Sequence, residues 1–188
     1  MNHFPPPTIT ADNAADMANI RAFLQQAVDH YPRLAAFSFT LALPYRAIPT
    51  DYRSLILRFH TEVWQRIGEY SRERQQERRH SPPTILRWIW ASTSTPACSM
   101  VLLLNLDTLG AGRHEQLIEN AQQVISEIIG AAWLMVTGAE GNGVTNITPI
   151  ILNRSGRGTF TTPFNHLKAQ VQAMGQAVAT ARTGVINA

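Results

Sequence analysis

Cysteine and histidine are the residue types through which this 188-residue chain could bind a metal or attack a substrate, and they are sparse. The single cysteine, Cys98, sits in "TPACSMVLLLNLD" (95–107), at the mouth of an apolar strand. A cysteine acts as a nucleophile when it is a thiolate with a base at hand. Thr95, Ser99 and Met100 around it are neutral, so Cys98 is expected to be a small buried hydrophobe. The six histidines are His3, His30, His60, His80, His114 and His166, none within two residues of another or of Cys98. No HxH, HxxxH or CxxC spacing follows, and neither a metal site nor a cofactor is expected. The glycines of "GAEGNGVTN" and "NRSGRGT" form no Walker or GxGxxG loop and are expected to shape turns.

The cations are more informative. Of 16 basic residues, 15 are arginine and only Lys168 is lysine, giving a net charge of +3. Arginine's planar fork suits bidentate contact with phosphate or carboxylate. "RERQQERR" places Arg72, Arg74, Arg78 and Arg79 at the end of a long helix, with Glu73 and Glu77 among them. A solvated helix end is the simpler reading of that run, and a phosphate-binding stripe is the functional one. Arg154 and Arg157 lie in a glycine-bearing loop able to touch an anion, and Arg87 sits in the strand "RWIW". There Trp88 and Trp90 share one face while Arg87 and Ile89 share the other. The tryptophans could stack bases, but packing beneath a helix is expected of them.

Several elements must position these groups. Pro5, Pro6 and Pro7 make residues 1–10 an extended arm, and 11–188 reads as a single domain. A helix runs to Pro32, and a strand, "LAAFSFTLALP", follows. From Thr50 a long helix carries Leu55, Phe59, Val63 and Ile67 at a four-residue step. "TILRWIWAST" and Met100–Leu106 read as a hairpin. A helix with Leu117, Val124, Ile128 and Trp133 follows, then a strand, then a final helix from Pro163 through "FNHLKAQVQAMGQAVATA". The order β-α-β-β-α-β predicts an α+β fold: a ferredoxin-like sheet of about four antiparallel strands with helices on one face, plus an N-terminal and a C-terminal helix. With 45% apolar and 15% charged residues a substantial core is available. No secretory signal or membrane span is read, and a cytoplasmic location in a bacterial cell or infected host is expected.

"RWIWASTSTPACSMVLLLNLDTLG", with "RSLILRFHTEVWQRI" before it and "AAWLMVTG" after, resembles the replication-initiator-like family of filamentous phages and prophages, including the YagK/YfjJ C-terminal domains. The resemblance spans about residues 37–183. It implies a fold like that of HUH nicking enzymes, in which paired histidines and an acidic residue hold a metal and a tyrosine on a helix attacks the phosphate. Here the histidine pair falls at Cys98 and Met100, the acidic ligand at Thr93, and the Tyr-x-x-Lys motif at Ala177 and Thr180. Each residue type the reaction needs is absent from its place.

The resemblance therefore implies a catalytically silent protein of a phage or mobile element, acting by binding. Nucleic acid, DNA ahead of RNA, is the expected partner, through Arg72, Arg74, Arg78, Arg79, Arg87, Arg154 and Arg157. The alternatives are an inhibitor that binds a host defence complex, of the anti-CRISPR kind, and a residual metal-dependent nuclease of single-stranded DNA.

Overall fold

A computed structural model describes residues 9–43, 49–79, 81–82, 84–91, 97–110, 114–138, 143–153, 161–174 and 177–182. Its elements in chain order are α1 (Ile9–His30), β1 (Arg33–Ala42), α2 (Pro49–Gln76), β2 (Leu86–Ala91) and β3 (Ala97–Asn105). A 3-10 turn (Leu106–Leu109) leads to α3 (His114–Thr137), β4 (Val144–Asn153), α4 (Thr161–Ala173) and β5 (Ala177–Arg182). All pairings are antiparallel and the strand order is β4-β1-β3-β2-β5. The first four strands of that list have the ferredoxin-like order, as the sequence predicts. Of the expected arm, residues 1–8 lie outside the described residues, while Ile9 and Thr10 belong to the first turn of α1.

Strand β3 explains why "MVLLLN" is apolar without alternation. Met100, Leu102 and Leu104 point into a core shared with α2 and α3, alongside Phe37 and Phe39 of β1. Val101 and Leu103 point into a second core built with α1 and α4, alongside Leu34 and Ala36. A strand buried on both faces loses its period-two pattern, because no face is left to be polar. The two crossover helices cover one face, and the N- and C-terminal helices close the other.

The C-terminal segment departs from expectation. The last helix ends at Ala173, and Ala177–Arg182 pairs with Leu86–Ala91 as a fifth strand. Val178 and Thr180 are β-branched and favour a strand, whereas Ala177, Ala179, Ala181 and Arg182 are good helix formers, so strand pairing here overrides local preference. Pairing also satisfies the outer edge of β2, which would otherwise present unpaired backbone groups. Ala177 and Thr180, expected on a helix, therefore lie on a strand opposite Ala91 and Trp88.

Two other sequence features have local causes. Pro149 is tolerated in β4 because that strand is the sheet's other edge. Gly143 donates no side chain where the backbone must approach β1: a Cβ there would lie 2.8 Å from the Ala42 Cβ, and its carbonyl accepts from the Ala42 N–H at 2.8 Å. Among the described residues no helix is long and apolar enough to cross a membrane.

Candidate functional site

The site is built where β3 ends. Asn105 caps the 3-10 turn, its Oδ1 accepting from the Asp107 N–H at 3.1 Å, and Asp107 pairs with Arg33. The segment after α2 is tied to the same corner. Ser81, fully enclosed, donates to the Thr108 carbonyl at 2.7 Å, and its own carbonyl accepts from Gln75 Nε2 at 2.9 Å. Thr108 in turn donates to the Pro82 carbonyl at 2.7 Å. These bonds fix the end of α2 beside the 3-10 turn, and buried polar groups satisfied in this way resist displacement.

Helix α2 then ends in a Schellman motif. The Arg79 N–H donates to the Arg74 carbonyl at 2.8 Å and the Arg78 N–H to the Gln75 carbonyl at 3.0 Å. Arg78 takes the left-handed position, with φ of 59°, where glycine is the usual occupant. An L side chain there costs about 1–2 kcal/mol. A cation is thus held in a conformation that its residue type disfavours. Residues 72–79 carry four arginines against Glu73 and Glu77, and the Arg79–Glu77 ion pair at 3.3 Å is exposed and weak. The helix C-terminus, with its partial negative charge, favours this cationic turn.

Between this end of α2 and the first half of α3 lies a groove of about 600 Å³. Leu109, Leu117 and Val124 form its apolar lining, with Gly110 beside them. Tyr70, Arg74 and Arg79 contribute from the α2 side, and Asn120, Gln123 and Glu127 from α3. Tyr70 is fixed, since its hydroxyl donates to the Leu109 carbonyl at 2.9 Å and accepts from Arg74 Nη1 at 3.5 Å. The Arg74 guanidinium also lies 5.6 Å from the Tyr70 ring centroid. The arrangement can hold an anion at its arginine end and donate or accept hydrogen bonds along α3.

The residues singled out in the sequence divide into groups. Arg72, Arg74, Arg78 and Arg79 come together here, with Arg74 and Arg79 in the groove. Thr93, Arg154 and Arg157 lie outside the described residues. Arg87 is elsewhere: it is 7% exposed, on the face covered by α1 and α4, so it shares no surface with the others. Its Nη2 bonds His30 Nδ1 at 3.1 Å, its guanidinium lies 6.0 Å from the Tyr31 ring, and its Nη1 has no hydrogen-bond partner among the described residues. Burial lowers the Arg87 pKa, and the neighbouring Tyr31 opposes that only in part. The folded chain thus holds this proton less tightly than the unfolded chain. The resulting penalty persists across neutral pH, where the guanidinium stays charged, and is relieved only at alkaline pH. Because burial of the guanidinium leaves Nη1 unsatisfied, Arg87→Met is expected to raise the urea midpoint. A urea midpoint that fell instead would show that the His30 contact outweighs the burial penalty.

Cys98 and Met100 are 2% and 0% exposed, inside the core beneath α2 and α3. Trp88 and Trp90 are also interior on that face, where the His60 ring stacks on Trp88 at 4.0 Å. They pack beneath α2, as expected of them, and offer no open platform for bases. Among the described residues no group of three or more histidine, cysteine, aspartate or glutamate side chains is placed to hold a metal ion.

The α3 wall of the groove was not foreseen. Asn120, Gln123 and Glu127 read as solvated positions of an amphipathic helix, and nothing local in the sequence distinguishes them from Glu115 or Glu119. Their significance comes from what stands opposite. Against known proteins, one family model matches, that of "Uncharacterised conserved protein UCP030791", over residues 8–146. No curated protein and no solved structure matches the chain.

Proposed function

The chain belongs to the uncharacterised conserved protein family UCP030791, and because that description carries no activity we propose a function from the site itself. The protein is a non-catalytic, replication-initiator-like protein of a phage or mobile element that binds nucleic acid through the cationic end of α2. One observation carries this reading: Arg72, Arg74, Arg78 and Arg79 share one helix end, two of them lining a groove. The left-handed Arg78 supports it, because uncommon backbone conformations persist where function requires them. The resemblance to replication initiators adds the expectation of DNA. The interior placement of Cys98 and Met100, where that family's histidine pair would fall, supports a binding role over a nicking one.

Fluorescence anisotropy with single-stranded and duplex DNA across a salt series tests the proposal. Affinity is expected to fall steeply with salt, because each neutralised phosphate releases counterions. The variant R72Q/R78Q/R79Q, all at exposed positions, should reduce the slope of log K against log salt by about 2–3. Arg78→Gly alone should weaken DNA binding yet raise the urea midpoint, since glycine relieves the left-handed residue. Absence of DNA and RNA binding at about 50 mM salt would overturn the proposal. A protein partner retained from host lysate after nuclease and high-salt washing would favour the inhibitor reading instead.

A further inference from the structure

We propose that the groove between α2 and α3 seats one nucleoside 5′-monophosphate unit, preferring a base that bears an exocyclic amino group. This deepens the nucleic-acid reading and rests on it only for the biological source of the ligand. The unit can be a free mononucleotide or an unpaired nucleotide of a strand, and both present the same chemistry.

Three properties of the groove lead to this class. Its volume of about 600 Å³ lies within the range of small-ligand sites, roughly 300–1,000 Å³. Its lining is graded along its length. Arg74 and Arg79 come from the last turn of α2 and the residues after it, and a Cβ on Gly110 would lie 3.2 Å from Leu117 Cδ1 and 4.0 Å from Arg74 Nη2. The cationic end is therefore beside Leu117, while Glu127 lies ten residues further along α3, a rise of about 15 Å. A phosphate is attracted to the arginine end and repelled by the glutamate end, so a ligand with one anionic terminus is oriented.

The chemistry between the two ends suits a base. Leu109, Leu117 and Val124 offer apolar contact for a ring face. Tyr70 cannot swing across the opening, because its hydroxyl is held by the Leu109 carbonyl and Arg74. Gln123 and Glu127 sit on one side of α3, with Gln123 Nε2 3.4 Å from Glu127 Oε1, so an amide and a carboxylate share one edge. A carboxylate accepts hydrogen bonds and cannot donate them. It therefore recognises the amino group of cytosine or adenine, and it opposes the carbonyl that uracil presents at the same place. Inorganic phosphate lacks the ring and the amino group, and duplex DNA keeps its ring faces stacked inside the helix.

Calorimetric titration of the full chain tests this with cytidine 5′-monophosphate, uridine 5′-monophosphate, cytidine, inorganic phosphate and a short oligo(dC) strand. Cytidine 5′-monophosphate should bind about tenfold or more tightly than the uridine nucleotide, and more tightly than cytidine or phosphate. Asn120→Trp, at an exposed position facing the groove, should abolish nucleotide binding with the melting temperature retained; Gln123→Trp is a second filling variant should the first fail to fold. Glu127→Gln should narrow the cytidine-to-uridine ratio. Inorganic phosphate binding as tightly as the nucleotide, or unchanged nucleotide affinity in both filling variants, would overturn the proposal. The oligo(dC) arm distinguishes strand from free nucleotide. DNA binding without any mononucleotide binding overturns the groove assignment and leaves the arginine surface standing; mononucleotide binding without polymer binding does the reverse.

Discussion

Replacing Cys98 and Met100 together by histidine is expected to unfold the protein, not to equip it with a metal site. The resemblance to nicking enzymes makes this the obvious restoration, because a histidine pair belongs at these two positions. The surroundings forbid it. Cys98 pairs with Leu41 and Met100 with Phe39 across the β1–β3 ladder, and both side chains sit in the apolar core under α2 and α3. An imidazole there is larger than the cysteine it replaces and brings a polar nitrogen that needs a partner. Overpacking at Cys98 and an unsatisfied buried polar group at each of the two positions cost about 1–3 kcal/mol apiece, so the pair loses at least about 3 kcal/mol. That is a large part of the 5–15 kcal/mol by which domains are ordinarily stable. Urea denaturation should show the loss, and added Mn²⁺ should not recover it. A cooperative fold whose melting temperature rises with Mn²⁺ would mean that these positions reach an open site.

Phe59→Ala should cost about 3–5 kcal/mol, among the largest effects expected of a single truncation. Phe59 is fully buried and joins three elements at once. Its ring meets Phe39 of β1 at 6.2 Å, Trp88 of β2 at 5.8 Å and Trp133 of α3 at 5.5 Å, each edge to face. Such geometry adds to area burial because the positive ring edge meets a negative face. Among the described residues the indole N–H groups of Trp88 and Trp133 have no hydrogen-bond partner, so this cluster is held by ring packing. Leu57, two residues earlier on the same helix and 46% exposed, should cost no more than about 0.5 kcal/mol as alanine. Urea midpoints compared at constant slope decide the matter, and equal losses at the two positions would contradict the packing described.

The buried stripe of α2 was close to legible in the sequence. Phe59, Val63 and Ile67 are buried as their spacing predicts, whereas Ile56 replaces Leu55 at the start of the stripe. A four-residue step drifts against a 3.6-residue turn, so the stripe crosses to a neighbouring position within two turns. In α3 the same drift brings Ala121, Ile125 and Ile129 to the centre and leaves Val124 and Ile128 half-buried at its border. The arginine cluster was also visible, because all four residues come from one helix end.

By itself the sequence determined the order of the first eight major elements, the ferredoxin-like pairing of four strands, and the interior fate of Cys98, Trp88 and Trp90. All of these follow from local periodicity, turn residues and apolar character, which act over a few residues. The tertiary structure decided three things. It turned "AVATAR" into a strand, because the open edge of β2 offers backbone hydrogen bonds that outweigh the helical preference of its alanines. It enclosed Arg87, because α1 and α4 cover a face that the hairpin alone would leave open. It also made a groove, by setting Asn120, Gln123 and Glu127 of α3 opposite Tyr70, Arg74 and Arg79, across a separation in sequence that no local signal spans.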